Sequence, residues 1–333
     1  MTDRDLTRPG AAALDAVSPL RDHRARFDLP DGVVYLDGNS LGPLPRGVAA
    51  RMDAVVRHEW GEGLIGSWND ADWIHLPRRV AALIAPLVGA RADEVHVGDS
   101  TSVLLFKTMT AAMRMRPGRR VLVLEPTTFP TDGYVAAGLA ELLDLELRWC
   151  DPDDPAAALD EDVALLALTH VDFRSGRMYD MGALTEAGHA VGALVQWDLC
   201  HSTGAVPVDL DGVGADFAVG CGYKYLNGGP GAPAFAYVAA KHHDAIRQPI
   251  TGWMGHARPF DMERAYAPVP GVGRLASGTP GVLGLAALET ALQVFDGVDV
   301  TDLRAVSLSL TDLFLDLVDA RLGDRVQAIT PRA

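Results

Sequence analysis

The sequence predicts an α/β fold, a mostly parallel central sheet flanked by helices, and three observations carry that expectation. Short, continuous apolar runs recur from about residue 94 to residue 240, as strands buried on both faces require. Helical patterns lie between several of those runs, and such alternation implies crossover connections between parallel strands. The chain has 333 residues, 48% of them hydrophobic, enough for one large domain and a piece of another.

The strands expected in order are "EVHV" (94–97), "RVLVLE" (120–125), "LELRW" (145–149), "VALLALT" (163–169), "ALVQWD" (193–198), "DFAVGC" (216–221) and "APAFAYV" (232–238). Helices are expected over 101–115, 131–143 and 181–191. "GLAALETALQVF" (284–295) reads as an amphipathic helix, and 300–322 reads as another with Thr301 as its candidate cap. "KHHD" (241–244) reads as part of a surface helix with its histidines on different sides, not as a metal site. There is no internal repeat and no low-complexity segment.

The formal charge is −15, with acidic residues spread along the chain. This disfavours nucleic acid and anionic membranes as partners. Three cysteines, Cys150, Cys200 and Cys221, have no paired spacing, which argues for a reducing compartment rather than a disulfide framework. The N-terminus shows no apolar signal region, and no apolar window is long enough to span a bilayer. A cytoplasmic protein is expected.

In open α/β sheets, ligands bind beyond the carboxyl ends of the strands. Four polar clusters fall there: "GDSTS" (98–102), "FPTD" (129–132), Asp198, and Lys224 in "GYKYLN" (222–227). Lys224 has apolar and aromatic neighbours. Desolvation makes such an amine a usable nucleophile, suited to a Schiff base with an aldehyde cofactor such as pyridoxal 5′-phosphate (PLP). The alternative is a solvated surface lysine. PLP would need a carboxylate opposite its ring nitrogen, and Asp198 is the candidate; a turn residue is the alternative. It would need a phosphate cradle, which Ser100, Thr101 and Ser102 offer at a helix start, although plain capping explains them equally. Phe129 is a candidate for stacking on the ring, or a core residue. Asp132 is a second polar contact, or simply a helix start. A GxGxxG dinucleotide fingerprint after the first strand is lacking.

These clusters, in this order, resemble the kynureninase family, PLP enzymes of the aspartate-aminotransferase fold type I. The resemblance runs from about residue 33 onward, through "YLDGNSLGPLP" (35–45), "GLIGSWN" (63–69), "FPTD", "WDLCHSTGAVPVDLDGVGADFAVGCGYKYLNGGPG" and "GWMGH" (252–256). It implies that Lys224 is the Schiff-base lysine and that Asp198 pairs with the pyridine nitrogen. Ser100, Thr101 and Tyr223 would hold the phosphate, with Tyr223 alternatively relaying protons. Phe129 would stack on the ring, and Asp132 and His201 would lie beside the cofactor. Trp253 and Thr279 would approach from a second subunit, so a homodimer with shared sites is implied. Asn39 and Ser40 would line the substrate pocket. The implied reaction converts L-kynurenine, or 3-hydroxy-L-kynurenine, to anthranilate or its 3-hydroxy form and L-alanine. That places the chain in tryptophan catabolism and the kynurenine route to NAD; no metal is implied.

The same resemblance implies a division of the chain. Residues 1–45 would serve the small domain and the mouth of the active site. Residues 46–297 would form the large PLP-binding domain, and 298–333 the start of an incomplete small α+β domain. Family members usually continue beyond the point matched by Ala333, with an arginine that grips the substrate α-carboxylate, so exposed apolar surface is expected on the helix at 300–322. Two other readings stand beside this one. One is another fold-type I PLP enzyme, an aminotransferase or a desulfurase; the latter would want a cysteine well after Lys224, and the last cysteine is Cys221. The other is a non-catalytic PLP-binding remnant that only dimerises.

Overall fold

The structure is a computed structural model and describes residues 4–332. Seven strands form one sheet in the order β1-β7-β6-β5-β4-β2-β3. They are β1 (Val95–Val97), β2 (Val121–Leu124), β3 (Glu146–Trp149), β4 (Val163–Thr169), β5 (Leu194–Asp198), β6 (Phe217–Gly220) and β7 (Phe235–Val238). From β6 through β5, β4 and β2 to β3 every pairing is parallel. Each apolar run expected as a strand is one. The run at 232–238 loses its first residues because Pro233 has no N–H to give a ladder.

β7 runs antiparallel to both its neighbours. The connection from β6 to β7 carries the Lys224 turn and no helix. Without a crossover, the returning strand must run the other way. The sheet is therefore mostly parallel with one reversed strand.

The helices are α1 (Arg8–Val17), α2 (Val48–Ala54), α3 (Ser67–Asp70), α4 (Leu76–Ile84), α5 (Thr101–Met115), α6 (Pro130–Leu143), α7 (Met181–Ala190), α8 (Val282–Ala291) and α9 (Val300–Leu322). Alternate residues of the strands feed two cores, as the strand period of two demands. Val121, Val123, Val195 and Trp197 pack with α4, α7 and α8 on one face. Leu122, Leu124, Leu194 and Phe217 pack with α5 and α6 on the other. Asp198 shares the parity of Leu194, so it emerges on the α5 face at the end of β5. That face is where the start of α5 also lies.

Three local expectations are corrected. Asp299, not Thr301, caps α9: its carboxylate accepts the Thr301 N–H at 2.8 Å. The helix expected over 284–295 ends at Ala291 and tightens into a 3-10 turn over Leu292–Phe295. "KHHD" holds a 3-10 turn, not a surface helix, and His242 is buried with its Nε2 2.7 Å from Asp216. A buried carboxylate with several donors outcompetes solvent for that imidazole.

α9 buries only Leu315 and exposes Leu310, Phe314 and Leu322, in line with the exposed apolar surface expected there. Arg4 pairs with Asp316 at 3.2 Å and Arg321 donates to the Leu6 carbonyl at 3.2 Å, tying this helix to the N-terminal segment. No helix is long and apolar enough to cross a membrane among the described residues.

Candidate active site

β1, β2, β4, β5 and β6 share one direction, so their carboxyl ends bring Gly98–Thr101, Phe129–Asp132, Thr169–Phe173, Asp198–His201 and Cys221–Lys224 to one edge. The reversed β7 delivers its opposite end there, and the N–H of Ala234 donates to the Asp99 carbonyl at 3.1 Å.

Lys224 is buried in this cluster. Its Nζ lies 2.8 Å from His201 Nε2, 5.4 Å from the centroid of the Phe129 ring and 5.9 Å from that of Tyr223. Burial and the nearby Lys224 charge hold His201 below the ordinary histidine value. The imidazole is therefore neutral at pH 7 and accepts an N–H from Lys224. Burial, with the charge of neighbouring thiols and Asp198, pushes the Tyr223 phenol up to about 12. It keeps its proton at neutral pH and remains a donor.

Asp198 Oδ1 accepts the Cys200 N–H at 2.6 Å, which fixes the carboxylate at the strand end. Asp132 is buried beside it. Burial and the Asp198 charge push the Asp132 carboxyl well above the usual range, because two carboxylates in one dry site cannot both ionise cheaply. Thr128 donates to Asp132 at 3.2 Å and meets Thr169 at 2.7 Å, which connects the ends of β2 and β4.

At the start of α5, Ser100 accepts the Val103 N–H at 3.4 Å, the capping role left open as an alternative. The first-turn N–H groups of Thr101 and Ser102 have no intrahelical acceptor. Thr101 Oγ1 lies 3.9 Å from Cys200 Sγ, which sets this helix end against the loop that carries Asp198 and His201.

The segment after β4 was not nominated from sequence, although the strand-end rule applies to it equally. Phe173 stacks on His201 with ring centroids 6.3 Å apart and meets Phe129 edge-on at 5.5 Å. His170 Nδ1 lies 2.9 Å from Ser202 Oγ. Asp172 binds the N–H groups of Arg174 and Ser175 through Oδ1, while its buried Oδ2 has no partner among the described residues.

Asn39 and Ser40 are exposed on a turn. That turn reaches the lysine through Gly42, whose N–H donates to the Tyr223 carbonyl at 2.8 Å. A Cβ on Gly42 would fall 2.3 Å from the Lys224 carbonyl. Trp253 and Thr279 are not brought to Lys224 within one chain: no hydrogen bond or ring contact joins them to it among the described residues. Thr279 lines a cavity of about 1260 Å³ with His96, Asp99, Met254 and His256.

The residues present suit PLP. A buried amine, a ring to stack on, two adjacent buried carboxyl groups and free helix N-terminal N–H groups form a set matched to an aldehyde, a ring nitrogen and a phosphate.

Comparison with known proteins agrees. The aminotransferase class-V family model matches residues 140–331. A kynureninase of Deinococcus radiodurans is 56% identical over 329 residues, covering 96% of this chain and 80% of the relative. A kynureninase of Burkholderia mallei is 50% identical over 335 residues, covering 98% and 80%. The apo cysteine desulfurase of Thermococcus onnurineus NA1 superposes with a TM-score of 0.77 at 20% identity, over 90% of this chain and 76% of that one. A C-DES variant with glycine covalently linked to its PLP cofactor gives 0.79 at 16% identity, over 90% and 80%. At that identity the structural matches establish the PLP-transferase fold alone.

Proposed function

The chain belongs to the kynureninase family, within the aminotransferase class-V group, and from that premise we propose that it uses PLP to hydrolyse L-kynurenine to anthranilate and L-alanine. The observation that carries the proposal is the buried Lys224 amine at the strand-end edge, hydrogen-bonded to His201 and faced by Phe129. Bound there, PLP supplies a cationic ring that stabilises negative charge on the carbon next to the substrate nitrogen.

The chain's residues supply the rest. Lys224 would hold the cofactor aldehyde and, as a free amine, would move the substrate Cα proton. Neutral His201 holds Lys224 by accepting its N–H. Asp198 would pair with the ring nitrogen. Asp132, buried beside Asp198 with its carboxyl pushed up by burial and the Asp198 charge, would be a second polar contact to the cofactor. Phe129 would cover one ring face, and Phe173 meets Phe129 edge-on. Thr101, Ser100 and the first turn of α5 take the phosphate. Tyr223, a protonated donor at neutral pH, serves the phosphate or hands a proton to the departing carbon. Water adds to the γ-carbonyl and the Cβ–Cγ bond breaks. Asn39 and Ser40 sit on the turn that Gly42 pins beside Lys224 and line the substrate side. The 3-hydroxylated substrate fits the same chemistry.

We assign 46–297 to the large domain, with 1–45 and 298–333 serving a smaller one; the pairing of Arg4 with α9 supports this division. Trp253 and Thr279 complete the site of a second copy, because neither meets Lys224 in its own chain. Inactive Lys224→Ala and Thr279→Ala chains should then regain activity when mixed. The three unpaired thiols support a cytoplasmic setting. The test of the reaction is incubation with PLP and L-kynurenine, read as fluorescent anthranilate with equimolar alanine. Sulfide release from cysteine, or turnover only with an added keto acid, would assign a different PLP reaction.

A further inference from the structure

Lys107 lies inside α5 with its side chain fully buried. Its ammonium donates to Asp99 Oδ2 at 2.6 Å, to the Leu275 carbonyl at 2.6 Å and to Ser277 Oγ at 2.8 Å. These bonds use all three of its N–H groups. A buried lysine is tolerated only when paired in this way, and Asp99 shows what the pairing does.

Asp99 stands one residue before Ser100, in the left-handed region at φ +53°. Its carbonyl is held by the Ala234 N–H. The Asp99 backbone is thereby fixed beside the N-terminus of α5, and Lys107 holds its carboxylate. An unneutralised carboxylate there would repel a phosphate, in a chain already carrying −15. The other two bonds of Lys107 fix the segment leading to Thr279. The Ser277 carbonyl accepts the Met254 N–H at 3.2 Å, and a Cβ on Gly252 would lie 2.2 Å from that same carbonyl. The segments bearing Trp253 and Thr279 are therefore locked together and anchored on Lys107.

The geometry points to Lys107 as a positioning residue for the cofactor phosphate: it cancels the Asp99 charge at the helix start and holds the 275–279 segment against it. This rests on the reading of Ser100 and Thr101 as the phosphate end.

The probes are PLP and pyridoxal, which is the same ring without the phosphate. Cofactor-free protein is titrated with each, following the visible absorption that depends on Lys224. The wild-type chain should prefer PLP strongly. Lys107→Met should lower the PLP-over-pyridoxal affinity ratio about tenfold, and adding Asp99→Asn to that variant should restore it. A purely structural lysine would weaken both probes alike, and an unchanged ratio would overturn the inference. Should Lys107→Met not fold, Asp99→Asn alone decides. With the lysine retained, the ratio must hold or rise, and a tenfold fall overturns the inference. A wild-type chain with no preference between the probes would instead remove the phosphate assignment, and this inference with it.

Discussion

Lys224 Nζ and His201 Nε2 stand 2.8 Å apart in a buried cluster, with the imidazole held neutral by burial and by the lysine's own charge. A neutral acceptor is what an ammonium needs there. A protonated imidazole would present a like charge at hydrogen-bond distance.

This makes the fold acid-sensitive. Burial pushes His170 down to about 4, desolvation and the Lys107 charge push His96 down to about 4, and His201 moves the same way. Below about pH 6.5 the unfolded chain binds protons that these sites refuse in the fold, so stability present above that pH is lost as the pH falls toward 4. Asp132, with its raised carboxyl, acts in the opposite sense but is one group against three. Urea midpoints should therefore fall from pH 7 to pH 4. The stability gap between wild type and His170→Gln should narrow by about 3 kcal/mol over that range. A constant gap would show that His170 is not held neutral by burial.

The two buried carboxylates should respond differently to amide substitution. Burial and the Asp198 charge push the Asp132 carboxyl up toward its neutral form, so Asp132→Asn should change the unfolding free energy by no more than about 1 kcal/mol. Asp198→Asn removes the charge opposite the ring nitrogen and should lower kcat by about 100-fold or more. Denaturation of the cofactor-free variants and turnover of the loaded ones check the pair. The reverse ranking would exchange their roles.

Gly42 is the tightest tie between the 35–45 motif and the lysine. Gly42→Ala puts a Cβ 2.3 Å from both the Lys224 carbonyl and Asn227 Oδ1, so something must move. The expected cost is about 1–3 kcal/mol of stability, with Lys224-dependent absorption weakened. An alanine variant with unchanged melting temperature and spectrum would show that this contact has slack.

The sheet was legible because β2 and β4 to β7 are buried on both faces and so read as unbroken apolar runs. "VALLALT" is β4 residue for residue, since nothing polar interrupts it. α5 and α9 were equally clear. Strand ends then located Asp198, Lys224, Phe129 and Thr101. The direction of β7 was not legible, because apolar runs carry no polarity and the β5-to-β6 connection, which also lacks a helix, joins parallel strands. Phe173 and Asp172 were missed although they follow β4 by the same rule that found the others. Lys107 was missed because a lysine within a helix reads as solvent-facing; its partners, Asp99 and Ser277, come from separate segments that only the fold brings together. Trp253 and Thr279 were named from resemblance, and a single chain does not bring them to Lys224.

The central claim is that Lys224 carries PLP in a working kynureninase site. The most direct measurement is the visible spectrum of the purified chain with PLP, titrated with L-kynurenine, beside Lys224→Ala. The expected result is an absorption band present only with Lys224, which changes as kynurenine is added while anthranilate fluorescence grows. Folded wild-type protein without a Lys224-dependent band would contradict it.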